Sequence, residues 1–135
     1  MILITGASGF IGRNLATYLL GKGDDVLASG RREQDEFFNE KGIPYVKLDI
    51  SNKDDFANID NKNITKIVHL AAIVPTQKKV HSSDEYISIN GNGVLNLLDF
   101  SIQNKIQKFV NLSSLSVYGA AGENGVKEDV NLEPF

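Results

Sequence analysis

Glycines fall at positions 6, 9 and 12, directly after the apolar run Ile2-Leu3-Ile4 and Thr5. At a sharp turn from strand to helix, the first glycine permits a backbone angle that other residues resist. The second, Gly9, lets main chain approach a ligand, and the third, Gly12, lets the helix pack tightly. The helix start then offers unpaired N–H groups and a partial positive charge, which suit a pyrophosphate. A tight turn alone would also use three glycines. The phosphate reading is favoured because this triplet follows a strand, opens a helix and begins a repeating pattern. Three other groups have chemical potential: the pair Arg31-Arg32, the carboxylate Asp49, and the hydroxyls of Ser113, Ser114, Ser116 and Tyr118.

Elements must hold these residues in place. Short apolar runs predict strands at Ile2–Ile4, Val26–Ala28, Tyr45–Leu48, Lys66–Leu70 and Phe109–Leu112. Between them, helices are predicted at Phe10–Leu20, with Ile11, Leu15, Tyr18 and Leu19 on one side, and at Glu33–Glu40, closed by Gly42. A short helix capped by Ser51 ends near Asp60. A long helix capped by Ser82 or Ser83 runs through Asn104, with Ile87, Val94, Leu98 and Ile102 along one stripe. From about Gly119 the chain reads as loop. Strands alternating with helices imply right-handed crossovers and a doubly wound α/β parallel sheet. Its expected order is 3-2-1-4-5, in one domain spanning residues 1–135.

Composition narrows the function. Of the 135 residues, 41% are hydrophobic and 23% charged, enough to build a packed core. A net charge of −3, with basic residues scattered apart from Arg31-Arg32 and Lys78-Lys79, argues against nucleic acid and anionic membrane as partners. There is no cysteine, hence no disulfide and no thiol catalysis. No basic leader or membrane-length apolar run is evident, which predicts a cytoplasmic protein. No metal site is expected.

The glycine spacing, Thr5-Gly6-Ala7-Ser8-Gly9-Phe10-Ile11-Gly12, resembles the short-chain dehydrogenase/reductase superfamily. His69-Leu70-Ala71-Ala72 is similar to that family's element after the fourth strand. Tyr86-x-x-x-Asn90-x-x-Gly93-x-x-Asn96-Leu97-Leu98 is similar to the long helix of its extended branch. Ser113-Ser114-Leu115-Ser116-Val117-Tyr118-Gly119 resembles the S-S-x-x-V-Y-G signature of nucleotide-sugar epimerases and dehydratases. The resemblance covers essentially the whole chain and implies a Rossmann-type fold. It implies cofactor contacts from Gly6, Ser8, Gly9, Phe10, Ile11, Gly12, Arg31, Arg32, Asp49, Ile50, Leu70, Ala71, Ala72 and Asn90. Asp49 is read equally well as a turn aspartate before Ser51.

Cofactor choice turns on the end of the second strand, Ala28-Ser29-Gly30-Arg31-Arg32. Family members that use NAD usually carry aspartate where Gly30 stands. Without a carboxylate to repel a 2′-phosphate, and with two guanidiniums to bind one, NADP is favoured over NAD. The alternative is a solvated arginine pair starting a loop.

The resemblance implies hydride transfer at a sugar hydroxyl carbon, with a serine, a tyrosine and a lysine in the order S…Y-x-x-x-K. Ser114 matches the serine, with Ser113 and Ser116 as competitors. Ser116 and Tyr118 are expected near the substrate. Tyr118 is not the base, because no lysine stands four residues on, and Tyr18 with Lys22 lies on the first helix. By the family pattern the tyrosine and lysine fall beyond Phe135. The chain is therefore read as the cofactor-binding part of a nucleotide-sugar epimerase or dehydratase, without the sheet's last strands and the substrate domain, inactive by itself and self-associating through its fifth strand or the neighbouring surface. Alternatives are an NADPH-dependent reductase of the same family, or a non-catalytic dinucleotide-binding regulator.

Overall fold

A computed structural model describes residues 1–60, 62–75, 80–119 and 125–133. Lys78-Lys79 lie outside the described residues. Five parallel strands form one sheet in the order β3-β2-β1-β4-β5: β1 Ile2–Thr5, β2 Val26–Gly30, β3 Tyr45–Lys47, β4 Lys66–His69 and β5 Lys108–Asn111. The register sets Leu3 beside Leu27 on one side and Ile67 on the other. Residues on β1 alternate between the two faces of the sheet. Ile2 and Ile4 join Ala16, Val26, Ala28, Phe38 and Ile43 in one core layer. Leu3 joins Leu48, Ile50, Ile67, Leu97 and Phe100 in the other. Every residue of β1 is therefore buried, as a central parallel strand requires. Burial of a side chain such as Phe38 or Leu97 contributes about 1.5–3 kcal/mol.

The first layer is built on α1 (Phe10–Gly21) and α2 (Glu36–Glu40). On α1 the side facing the sheet is made of the small residues Gly12 and Ala16, with Leu15 and Leu19 packed beside them. Ile11 and Tyr18, expected on that side, are 51% and 60% exposed. Close approach of helix to sheet leaves no room for them there. α2 starts three residues later than the charge pattern predicts. Asp35, and no residue of the Glu33 turn, accepts the Phe37 N–H as its N-cap.

The second layer is closed by the long helical segment. Ser82 caps it with a reciprocal capping box to Glu85. It runs as α3 (Ser83–Tyr86), a π-helical stretch (Ile87–Asn92) and α4 (Gly93–Gln103). The stripe predicted from 3.6-residue periodicity does not reach the core: Ile87 is 60% and Ile102 77% exposed. Leu98 and Ile102 lie within α4 itself; the side turned to the core includes small and polar residues that give no apolar signal. The buried stripe is Gly93, Asn96, Leu97, Phe100 and Ser101. Before β4, a 3₁₀ turn (Lys53–Asn58) is capped by Asn52, in place of the expected Ser51. Ser51 is instead held by Asp49. Among the described residues no helix is long and apolar enough to cross a membrane.

Candidate functional site

The carboxyl ends of β1, β2, β3 and β4 open onto one pocket of about 360 Å³, the place where open parallel sheets hold ligands. Its wall at β1 is the glycine loop. Gly6 has φ +66°, and a Cβ there would lie 2.6 Å from the Ala71 nitrogen, at the end of β4. Gly12 carries the opposite end of the turn against Ala7, whose Cα would stand 2.5 Å from a Cβ. Both positions are closed to side chains by the protein itself. Gly9 differs: a Cβ there would meet only the Gly6 carbonyl, at 3.3 Å. Gly9 is also the N-cap of α1 and brings no side chain to the first-turn N–H groups. α2, α3 and the Lys53–Asn58 turn all have side-chain caps. The N–H groups at the start of α1 thus have no side-chain acceptor, the condition under which a helix start can take an anion.

Three polar ties fix the other walls. The Thr5 hydroxyl accepts the N–H groups of Leu70 and Ala71, at 3.3 and 3.4 Å, and lies 2.6 Å from His69 Nδ1. With its oxygen accepting, its one proton goes to Nδ1, which sets a neutral His69 as the Nε2–H tautomer. Burial pushes the His69 pKa down, in keeping with that neutral state. Asn90 exchanges two hydrogen bonds with the Ile73 main chain, at 2.9 and 2.8 Å. Asn96, buried, donates to the Ile50 carbonyl at 2.9 Å. Two asparagines of one helical segment therefore pin the loops after β4 and β3. The amide of Asn90 is occupied by this tie.

The β2 end carries the charges. Gly30, Arg31 and Arg32 all line the pocket. Behind them Asp35 is buried and lies 3.2 Å from an Arg13 nitrogen through each of its oxygens. Arg32 stands 4.0 Å from the same carboxylate and keeps 71% of its side chain exposed. Burial pushes the Asp35 carboxyl up, but the Ser8 hydroxyl, Arg13 and the Phe37 N–H outweigh it and hold it below its ordinary value. Asp49 lines the pocket while its Oδ1 accepts the N–H and hydroxyl of Ser51, at 3.0 and 2.7 Å. It is a turn aspartate that also faces the site.

Of the expected contact residues, Gly6, Ser8, Gly9, Arg31, Arg32, Asp49, Ile50, Leu70, Ala71 and Ala72 converge on this pocket. Phe10 and Ile11 stand on the first turn of α1 with exposed side chains, Gly12 lies beneath the loop, and Asn90 holds the wall from behind. Leu48, Ile73 and Ile89 also line the pocket, beyond the contacts that the sequence predicts. Leu48 and Ile73 follow from their places after β3 and β4. Ile89 sits in the π stretch, where no periodic signal reaches.

The hydroxyl cluster lies after β5, at the same carboxyl edge of the sheet. Ser114 caps the 3₁₀ turn Leu115–Tyr118 by accepting the Ser116 N–H, and its Oγ is 2.7 Å from Ser116 Oγ. Gly119, at φ +72°, lets the main chain at Glu133 cross the turn, with Glu133 N–H donating to the Val117 carbonyl at 3.1 Å. Lys22 lies over the Tyr18 ring on an exposed side of α1, away from the sheet's carboxyl edge. Ala120 to Asn124 lie outside the described residues.

The chain is 32% identical to a UDP-glucose 4-epimerase of Vibrio cholerae, an alignment covering 87% of this chain and 36% of that protein. It is 34% identical to a 3-beta-hydroxysteroid dehydrogenase of Mycolicibacterium neoaurum, over 97% of this chain and 36% of the relative. The solved UDP-glucose 4-epimerase of Thermus thermophilus, in complex with NAD, superimposes with a TM-score of 0.88 at 27% identity, covering 98% of this chain and 44% of that one. The chain spans less than half the length of these relatives. The NAD dependent epimerase/dehydratase family profile matches residues 2–135. By that match and the geometry it falls on, the chain belongs to the NAD dependent epimerase/dehydratase family.

Proposed function

We propose that the pocket binds a nicotinamide dinucleotide by its adenosine and pyrophosphate, with NADP(H) preferred over NAD(H), in a cytoplasmic nucleotide-sugar epimerase or dehydratase. The observation that carries the binding site is Gly9: less crowded than Gly6 and Gly12, with only the Gly6 carbonyl at 3.3 Å from a Cβ, at an uncapped helix start. When bound, the nicotinamide accepts and returns a hydride. The residues of this chain seat the pyrophosphate, orient the ribose end through the β2 terminus, and place the Ser114 hydroxyl at the same edge of the sheet. Ser114 would hydrogen-bond the substrate oxygen. No tyrosine in the sequence stands beside a lysine in a position to move the proton, so these 135 residues bind without turning over.

The NADP preference rests on Gly30, Arg31 and Arg32. Arg32 is held by Asp35 only at 4.0 Å and largely exposed, which leaves its donors for a phosphate. In the Arg31→Ala, Arg32→Ala double variant, NADP(H) affinity should fall by about 1.5–3 kcal/mol, the worth of a charge-assisted hydrogen bond. NAD(H) affinity should change far less. Equal losses in calorimetric titrations with both cofactors would remove the 2′-phosphate reading. The exposed Val110 of β5, with exposed Leu112 just beyond the strand, supports a homo-oligomer formed through that strand or its neighbouring surface.

A further inference from the structure

Gly30 is a glycine for want of space. Its φ is outside the left-handed region, so its backbone suits any residue. A Cβ there would lie 2.8 Å from Tyr45 Oη and 3.1 Å from Ser8 Oγ, whereas the Tyr45 ring carbon Cζ is at an ordinary 3.7 Å. Tyr45 opens β3 opposite Ala28, and its ring stacks on the fully buried Phe38, centroids 5.6 Å apart. Its hydroxyl is buried and has no hydrogen-bond partner. The packing of the ring does not require that oxygen, and the oxygen occupies the room that a side chain at position 30 would need.

We propose that Tyr45 is a specificity-determining residue: its hydroxyl closes the β2 end to an acidic side chain and so excludes carboxylate recognition of an unphosphorylated ribose. This rests on the reading of the pocket as the seat of the cofactor's adenosine end. Tyr45 acts through the space at position 30, as a positioning residue. Selectivity then resides in a pair of positions on neighbouring strands, and changing Gly30 alone cannot reverse it.

Calorimetric titration with NAD⁺ and NADP⁺ tests this on Gly30→Asp and on Gly30→Asp combined with Tyr45→Phe. Gly30→Asp alone should lose NADP⁺ without gaining NAD⁺. Adding Tyr45→Phe should raise NAD⁺ affinity over that single variant by about tenfold or more, as expected for a newly made charge-assisted hydrogen bond. Equal NAD⁺ affinity in the two variants would overturn the proposal. A cofactor-free cycle covers the case in which Gly30→Asp does not fold. Gly30→Ala should lower Tm, and Tyr45→Phe in that background should recover most of the loss; no recovery would also overturn it. A wild-type chain that binds neither cofactor would sink the cofactor reading, while the thermal cycle would still report on the crowding.

Discussion

β1 and β5 are strands of four residues in the same sheet, and they meet opposite surroundings. All of β1 is buried; of β5, only Phe109 is even half-buried. Around β1 the main chain, the glycine loop and the ties from Thr5, Asn90 and Asn96 complete a rigid pocket wall. Around β5, Val110 is 55%, Leu112 52% and Leu115 71% exposed. The pocket wall at β1 is complete within these residues. The Ser114 and Ser116 hydroxyls stand just after a strand that is mostly exposed, of the kind that pairs with other chains.

The sharpest way to break the β1 side is Gly6→Val. A left-handed residue with a side chain costs about 1–2 kcal/mol, and forcing a Cβ into the Ala71 main chain adds about 1–3 kcal/mol of overpacking. That total is a large share of a small domain's stability, so urea unfolding should move its midpoint well down. A native midpoint would show that the β1–β4 junction is looser than the distances imply. On the β5 side, Val110→Glu should reduce self-association in sedimentation experiments while changing stability by no more than about 0.5 kcal/mol, since the site is exposed. A wild-type chain that is monomeric at every concentration would refute association through this edge.

A smaller effect probes the β1 side by pH. The folded His69 has its pKa pushed below the ordinary 6.5 by burial. The unfolded chain therefore takes up a proton first as pH falls, and the stability held by neutral His69, full above 6.5, declines below it. Asp35 is held below its ordinary 3.8. Its contribution is present above that value and is lost as pH falls through the lower folded pKa. Acid unfolding should thus show an early loss that His69→Gln removes, and a later loss that Asp35→Asn reduces. A His69→Gln variant with the wild-type profile between neutrality and about pH 5 would contradict the first assignment.

The strand order and the glycine loop were legible in the sequence because they depend on local signals: apolar runs, their spacing, and glycines between strand and helix. The cap of the long helix was legible as Ser82 or Ser83 for the same reason, and the structure uses Ser82. The orientation of the long helix was not, because its buried side includes Gly93, Asn96 and Ser101, which give no apolar signal. Nor was the exposure of Ile11 and Tyr18, which depends on how close α1 lies to the sheet. Most of the glycine-loop and strand-end contacts follow from pattern, yet the role of Tyr45 does not, since the crowding at Gly30 arises only when β3 is laid beside β2.

The reading of the pocket stands or falls on Gly9, at the uncapped start of α1, as the seat of the pyrophosphate. In Gly9→Val the added side chain fills the ligand's approach, while its Cβ meets only the Gly6 carbonyl, at 3.3 Å. The measurement is titration with NADPH, alongside circular dichroism. The expected result is a native spectrum with dinucleotide binding abolished. A variant that keeps the native spectrum and binds NADPH as the wild type does would place the phosphate cradle elsewhere and contradict it.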